Sequence, residues 1–272
     1  MKPVLCIPSY SRPDGIAIER CKELPLKKFI FIRREQESLY DKWRPWYTLV
    51  LQDHGTDIGL VRKNIVNYCY KKGYEWAFML DDDICKVEML DWDRNKQCWN
   101  SKRIIEGSVV GPRFEIAALK RWFKWATRYD LALSCPIYRF NRGSKGTEIH
   151  INRHPVIQCV LIHVPNFIEV GNYKSIHVTG NEDYYIQFKL MRSGYKTGTI
   201  GLVEYDCPAV GNCDDGTNDT KDEKYRRYIQ AFFTNVCGDP KYVTTKTTKT
   251  GFSSLNFVWK NFDQDKIQIS LE

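Results

Sequence analysis

The chain has 272 residues, 43% of them hydrophobic, which excludes disorder over most of its length and suffices for one large domain or two small ones. Lysine and arginine exceed aspartate and glutamate by 41 to 33, and the resulting charge of +8 favours a polyanionic partner. The opening run Val4–Ile7 is too short for a signal peptide, no apolar stretch reaches the ~20 residues of a membrane helix, and ten cysteines without a CxxC pair suit a reducing cytosol, so a cytoplasmic, membrane-free location is expected.

Val4–Ile7 reads as a buried strand, and Pro8-Ser9-Tyr10-Ser11-Arg12-Pro13 as a loop at its C-terminal end, where open α/β sheets bind ligands. In that loop Arg12 suits a phosphate and Tyr10 a base, although the same residues would make an ordinary surface turn. A second strand over Lys28–Arg33, a polar helical segment over Glu35–Lys42 and a third strand over Tyr47–Leu51 follow, the last ending at Gln52-Asp53-His54-Gly55. Gly59–Lys72 is an amphipathic helix with Val61, Ile65, Tyr68 and Cys69 on its core face and Gly73 as its stop. Arg62, Lys63 and Asn64 lie near its N-terminus, where the helix dipole disfavours cations; a bound diphosphate would resolve that conflict.

The helix leads into Trp76-Ala77-Phe78-Met79-Leu80-Asp81-Asp82-Asp83-Ile84, a buried strand ending in three carboxylates, and strand, helix and strand read as a βαβ unit. On an extended chain Asp81 and Asp83 would point one way and Asp82 the other, so the outer pair could hold magnesium or manganese. A solvated acidic turn is the plainer alternative.

The ordered set of these pieces carries a family resemblance over about the first ninety residues. IPSYSRP resembles the first strand and loop of GT-A glycosyltransferases, and GLVRKN followed by FMLDDD resembles the helix before their DxD motif. The resemblance implies an α/β fold with a mostly parallel mixed sheet and helices on both faces. It further implies a Mn2+ or Mg2+ ion on Asp81 and Asp83, and a nucleotide-sugar, of the UDP-glucose kind, held by Pro8, Tyr10, Arg12, Asp53, Arg62, Asp81 and Asp82.

Asp91–Lys102 reads as an irregular loop. Gly111-Pro112 opens a helix with Ile116, Leu119, Trp122, Phe123 and Ala126 in its core stripe and Lys120, Arg121, Lys124 and Arg128 on a basic side, which is either a solvated face or a partner's footprint. Leu131–Ile137 is a strand, Tyr138–Gly146 a basic aromatic loop suited to acceptor contact, and Val156–Val164 a strand whose His163 reads as a core residue. Gly180-Asn181-Glu182-Asp183 precedes a helix over Tyr184–Arg192, stopped by Gly194. Acidic residues there are expected from capping alone, but the segment also resembles the ED-bearing helix start of inverting GT-A enzymes. That resemblance makes Asp183 the catalytic base, with Glu182 second.

Thr199–Tyr205 fits a last core strand and Gly211–Asp219 a loop able to fold over donor. Thr220 with Glu223 forms a capping box for a basic helix, Thr244–Thr250 reads as a linker, and Lys266–Ile269 as a terminal strand. Residues 1–205 are expected to form the donor- and acceptor-binding domain, and 206–272 a loop, helix and tail packed on it. The general run of the chain resembles the TET-associated glycosyltransferases of bacteriophages, which implies a DNA partner carrying 5-hydroxymethylcytosine. A transferase acting on a protein, polysaccharide or small molecule, a nucleotidyltransferase, and a non-enzymatic nucleic-acid-binding module remain open at this level.

Overall fold

The computed structural model describes residues 3–53, 58–93, 98–101, 114–138, 148–170, 182–207, 243–247, 253–258 and 268–270. In chain order, β1 (Val4–Pro8), α1 (Ile16–Cys21), β2 (Lys28–Arg33), a 3-10 segment (Arg34–Trp43), β3 (Thr48–Gln52), α2 (Ile58–Lys71) and β4 (Trp76–Leu80) form the first part. The second part comprises β5 (Lys86–Asp93), β6 (Cys98–Ser101), α3 (Ile116–Arg128), β7 (Leu131–Tyr138), β8 (Glu148–Ile151), β9 (Cys159–His163), α4 (Val164–Val170), α5 (Glu182–Arg192) and β10 (Lys196–Asp206). The tail adds β11 (Val243–Thr247), β12 (Ser253–Phe257) and β13 (Gln268–Ser270).

The main sheet runs β13-β8-β10-β7-β9-β4-β1-β2-β3, with β9 and β8 pointing opposite to the other strands on this path. β5 pairs antiparallel with the end of β10 and forms a hairpin with β6, while β11 and β12 make a separate hairpin. The expected mostly parallel α/β sheet is therefore present. Its consequence for function is geometric: β1, β2, β3, β4, β7 and β10 all end at the same side.

Two-residue periodicity sorts the apolar strands between two cores. Leu5, Ile7, Ile30, Ile32, Trp76, Phe78 and Leu80 face one layer with α1, the 3-10 segment and α3. Val4, Cys6, Phe29, Phe31, Ala77 and Met79 face the other, where α2, α4 and α5 pack. Both faces are covered, so these strands read as unbroken apolar runs. Each fully buried Leu, Ile or Phe contributes about 1.5–3 kcal/mol to that packing. Trp122 Nε1 donates to the buried Ser134 Oγ at 2.9 Å, which pins α3 to β7 through the one polar atom of the indole.

Cys6, Cys69 and Cys159 are buried free thiols, as small hydrophobes in strands and helices should be. His163 sits beside Trp76 and lies 3.3 Å from Glu75 Oε1, in keeping with a packed rather than a ligating role. Gly73 ends α2 with φ +73, the left-handed value that its stop position requires. Among the described residues no helix is long and apolar enough to cross a membrane.

Several expectations change. Asp91–Lys102 is not an irregular loop throughout, since β5 extends to Asp93 and β6 covers Cys98–Ser101; cross-strand pairing of Trp92 with Trp99 occurs in a polar stretch with no clear alternation. The Val156–Val164 run yields only the five-residue β9 before α4 begins at Val164. Thr244–Thr247 belongs to β11 rather than a linker, because a partner strand supplies its hydrogen bonds. The βαβ unit of β3, α2 and β4 is present as parallel strands of one sheet, with β1 and β2 lying between them. The expected helix start at Gly111-Pro112, the loop beyond Tyr138, Gly211–Asp219 and the helix from Thr220 fall outside the described residues, as do His54 and Gly55.

Candidate functional site

The parallel strand ends converge on the three consecutive carboxylates. β4 stops at Leu80, and the amide of Ile84 donates to the Asp81 carbonyl at 3.1 Å, so Asp81–Ile84 is a turn. The extended alternation expected for Asp81 and Asp83 therefore does not hold. Asp82 and Asp83 instead share a side with Arg12, and Asp81 turns toward Arg62. The reason is that the turn changes backbone direction at the residue where the ladder ends.

Asp82 is buried in the loop that follows β1. Ser9 Oγ lies 2.7 Å from its Oδ2, and Arg12 Nη1 lies 3.2 Å from its Oδ1 and 3.7 Å from Asp83 Oδ2. The backbone continues the embrace, with the Ala17 amide donating to the Asp82 carbonyl at 3.1 Å. Burial pushes the Asp82 carboxyl up to about 6, against Arg12 and Ser9, which favour its charged form. The 3-10 segment braces the same loop from outside. Tyr40, fully buried, brings its hydroxyl to 2.8 Å from Ser9 Oγ and accepts the Arg12 amide at 3.0 Å, while Trp43 Nε1 donates to the Pro13 carbonyl at 2.6 Å. Ser11 occupies φ +54, held there by Gln36, which accepts its amide and donates to its hydroxyl.

Gly15 closes this loop over the carboxylate turn. A Cβ there would lie 3.0 Å from both Cβ and the carbonyl oxygen of Asp82, atoms that cannot swing aside. Gly15→Ala is expected to lower stability by about 1–3 kcal/mol and to displace Asp82. Urea denaturation measures the first, and an Asp82→Asn background, which keeps both contacted atoms, should show the same loss; a loss that vanishes there would assign it to the carboxylate charge instead.

The second half of the site is an arginine between two carboxylates. Arg62 is 2% exposed; its Nη2 lies 2.9 and 3.1 Å from the two oxygens of Asp81, and its Nη1 donates to Asp183 Oδ1. Asp183 sits in the first turn of α5, and its Oδ2 accepts the Gln158 amide at 3.1 Å. The Gln158 carbonyl in turn lies 3.3 Å from the Asp81 amide. Gln158 adopts φ +59, and that backbone is what lets one residue address both carboxylate-bearing segments. One turn along α5, the buried Gln187 fixes the helix: Nε2 donates to the His154 carbonyl and to Thr197 Oγ1, both at 2.9 Å, and Oε1 accepts the Val156 amide at 3.0 Å.

The sequence-predicted residues thus divide. Pro8, Arg12, Arg62, Asp81, Asp82, Asp83 and Asp183 belong to segments that meet. Tyr10 stands 52% exposed on the rim, one ring face covered by the Arg33 guanidinium at 4.0 Å. Asp53 follows β3 at the same side of the sheet, but three strand spacings from β4, roughly 14 Å. Glu182 opens α5, and its side chain lies outside the described residues.

Ser9, Tyr40 and Gln158 had no sequence signal beyond polarity beside apolar runs. Arg62 did have one: with Ile65, Val66 and Cys69 it forms an i, i+3, i+4, i+7 stripe, the positions that α2 buries. The anion inferred from its charge is not needed to satisfy it, because two carboxylates of the protein lie against its terminal nitrogens.

Four carboxylates, Asp81, Asp82, Asp83 and Asp183, face two guanidiniums here, so the site carries surplus negative charge. Asp83 Oδ1 is buried without a hydrogen-bond partner among the described residues. That oxygen suits a hard divalent cation. No group of three or more metal-ligating side chains occurs among the described residues; a magnesium-type ion can be held by one or two carboxylates, with phosphate oxygens and water completing its shell.

The sequence matches no family model and no curated protein. Among solved structures, S. aureus TarS 1-349 is similar at 10% identity with a TM-score of 0.48, over 75% of this chain and 60% of that one. S. aureus TarS 1-349 in complex with UDP gives 11% and 0.46 over 86% and 72%, and GalNAc-T7 with UDP, GalNAc and Mn2+ gives 12% and 0.42 over 76% and 44%. The chain thus spans 60% of the first of these, and none of them assigns a role to a residue here.

Proposed function

We propose that the chain is a metal-dependent glycosyltransferase that moves a sugar from a nucleotide-sugar, of the UDP-glucose kind, to the hydroxyl of 5-hydroxymethylcytosine in duplex DNA. The reading stands first on Asp83, whose buried, unpartnered oxygen lies at the ends of parallel strands in a site with surplus negative charge. The ordered IPSYSRP, GLVRKN and FMLDDD motifs supply the donor class. The acceptor rests on the likeness to the phage enzymes and on the charge of +8, which suits a polyanion.

In this reading Asp83 would hold Mn2+ or Mg2+ through its unpartnered oxygen, Asp81 would join it at the cost of part of its contact with Arg62, and Arg12 would reach the donor diphosphate from its partly exposed position. The cation, when bound, offsets charge developing on the departing nucleoside diphosphate. Asp183 takes the proton of the acceptor hydroxyl as that oxygen attacks the anomeric carbon, with inversion. Arg62 and the Gln158 amide orient its carboxylate, and each of its oxygens keeps a lone pair for the acceptor. Tyr10 offers its uncovered ring face to the base of the nucleotide. Residues 1–205 carry these functions. The acceptor base leaves the stack, or is reached in the groove, to bring its hydroxymethyl group to Asp183.

Incubation with manganese, a panel of nucleotide-sugars and a hydroxymethylcytosine duplex, followed by nucleoside mass measurement, tests this directly. A hexose-sized increment on hydroxymethylcytosine is expected with one donor. No increment with any donor rejects the DNA acceptor.

A further inference from the structure

The exposed cations of the protein fall into two kinds. Around the 3-10 segment and α1 several are matched, Lys42 with Asp14, Arg44 with Asp41 and Glu37, and Lys22 with Glu19, while Arg20 and Arg34 have no carboxylate within ion-pair distance among the described residues. On α3 four unmatched cations share one helix. Lys120, Arg121, Lys124 and Arg128 are exposed, and no carboxylate lies within ion-pair distance of any of them among the described residues. The helix itself, IAALKRWFKWATR, contains no acidic residue.

Helical geometry collects these charges. At 100° per residue the four fall within an arc of about 100°, opposite the core stripe of Leu119, Trp122 and Ala126. They span roughly 12 Å from Lys120 to Arg128, a length over which duplex DNA presents about seven phosphates. Beside them Trp125 and Tyr129 stack at 5.7 Å and 16°, with the Arg128 guanidinium 5.0 Å from the indole ring and 5.7 Å from the phenol ring, which restrains it.

The stripe is also aimed. Glu115, the residue before α3, donates its amide to the Val87 carbonyl at 2.9 Å, and its Oε2 accepts the Met89 amide at 3.2 Å. Val87 is four residues beyond Asp83 on the strand that leaves the carboxylate turn. The helix therefore starts beside the site, and its basic face runs away from it.

We propose that this face of α3 binds the phosphate backbone of duplex DNA and sets the duplex against the carboxylate site. This deepens the DNA-acceptor reading and rests on it for the duplex as partner, but binding is measured without turnover. The probe is a fluorescent unmodified duplex titrated across a salt series. The Lys120→Gln/Lys124→Gln variant is compared with Lys71→Gln/Lys72→Gln, which removes the same charge from the exposed end of α2. The α3 variant should bind at least tenfold more weakly in low salt, with a salt slope shallower by about 1.8 for two lost phosphate contacts, while the α2 variant binds as the parent does. Equal losses in both variants would reduce the effect to net charge and overturn the proposal, as would parental binding by the α3 variant or no duplex binding by the parent. If the duplex binds as described yet no donor glycosylates the hydroxymethylated form, the transfer reading fails and the surface stands.

Discussion

Replacing Arg62 with methionine is expected to destabilise the protein by about 3–5 kcal/mol, because it leaves buried carboxylates without their cation. Arg62 is 2% exposed and its guanidinium touches both Asp81 and Asp183. The neighbouring aspartates retain some solvent contact, so the loss should fall nearer the lower figure. Lysine will not rescue it, since a single ammonium cannot reproduce a planar fork that addresses two carboxylates. Adding Asp81→Asn and Asp183→Asn to Arg62→Met should recover much of the stability, because the stranded charges disappear with the cation. Urea denaturation of the set measures this, and a triple variant as unstable as the single one would show that packing, not charge, sets the cost.

Asp83→Asn should have the opposite signature, with stability kept and turnover lost. Its side chain is 29% exposed and one of its oxygens has no hydrogen-bond partner among the described residues, so the fold does not depend on its charge. Removing a charge that positions the cation against the leaving group is expected to lower transfer by about 10²–10³. Asp183→Asn should lower it by about 10²–10⁴, the range for a lost general base. The two separate in donor binding. Asp83→Asn weakens metal-dependent donor affinity strongly, whereas Asp183→Asn, which costs Arg62 one of its two carboxylates, weakens it less and acts chiefly on transfer. A parental rate for Asp83→Asn in the presence of manganese would remove that residue from the account.

Much of the scaffold could be read before the structure because the parallel strands are covered on both faces. Val4–Ile7, Phe29–Ile32 and Trp76–Leu80 then have no polar positions to confuse the pattern, and Gly73 marks the helix stop. The site was harder. An acidic run after a strand says that charges gather, but not whether the chain stays extended, and the turn at Asp81–Ile84 regroups them. Arg62 invited a reading from its charge and its place near a helix start, while its spacing to Ile65, Val66 and Cys69 already placed it inside. Tyr40 and Gln158 act through a single hydroxyl and a single backbone conformation, which no local composition announces.

A crystal soaked with manganese and UDP-glucose, with the metal located by its anomalous signal, tests the central claim most directly. The account predicts a manganese peak within coordinating distance of Asp83 or Asp81, bridged to the diphosphate, with Arg12 alongside. Metal and donor bound together elsewhere, with the Asp81–Ile84 turn untouched, would contradict it.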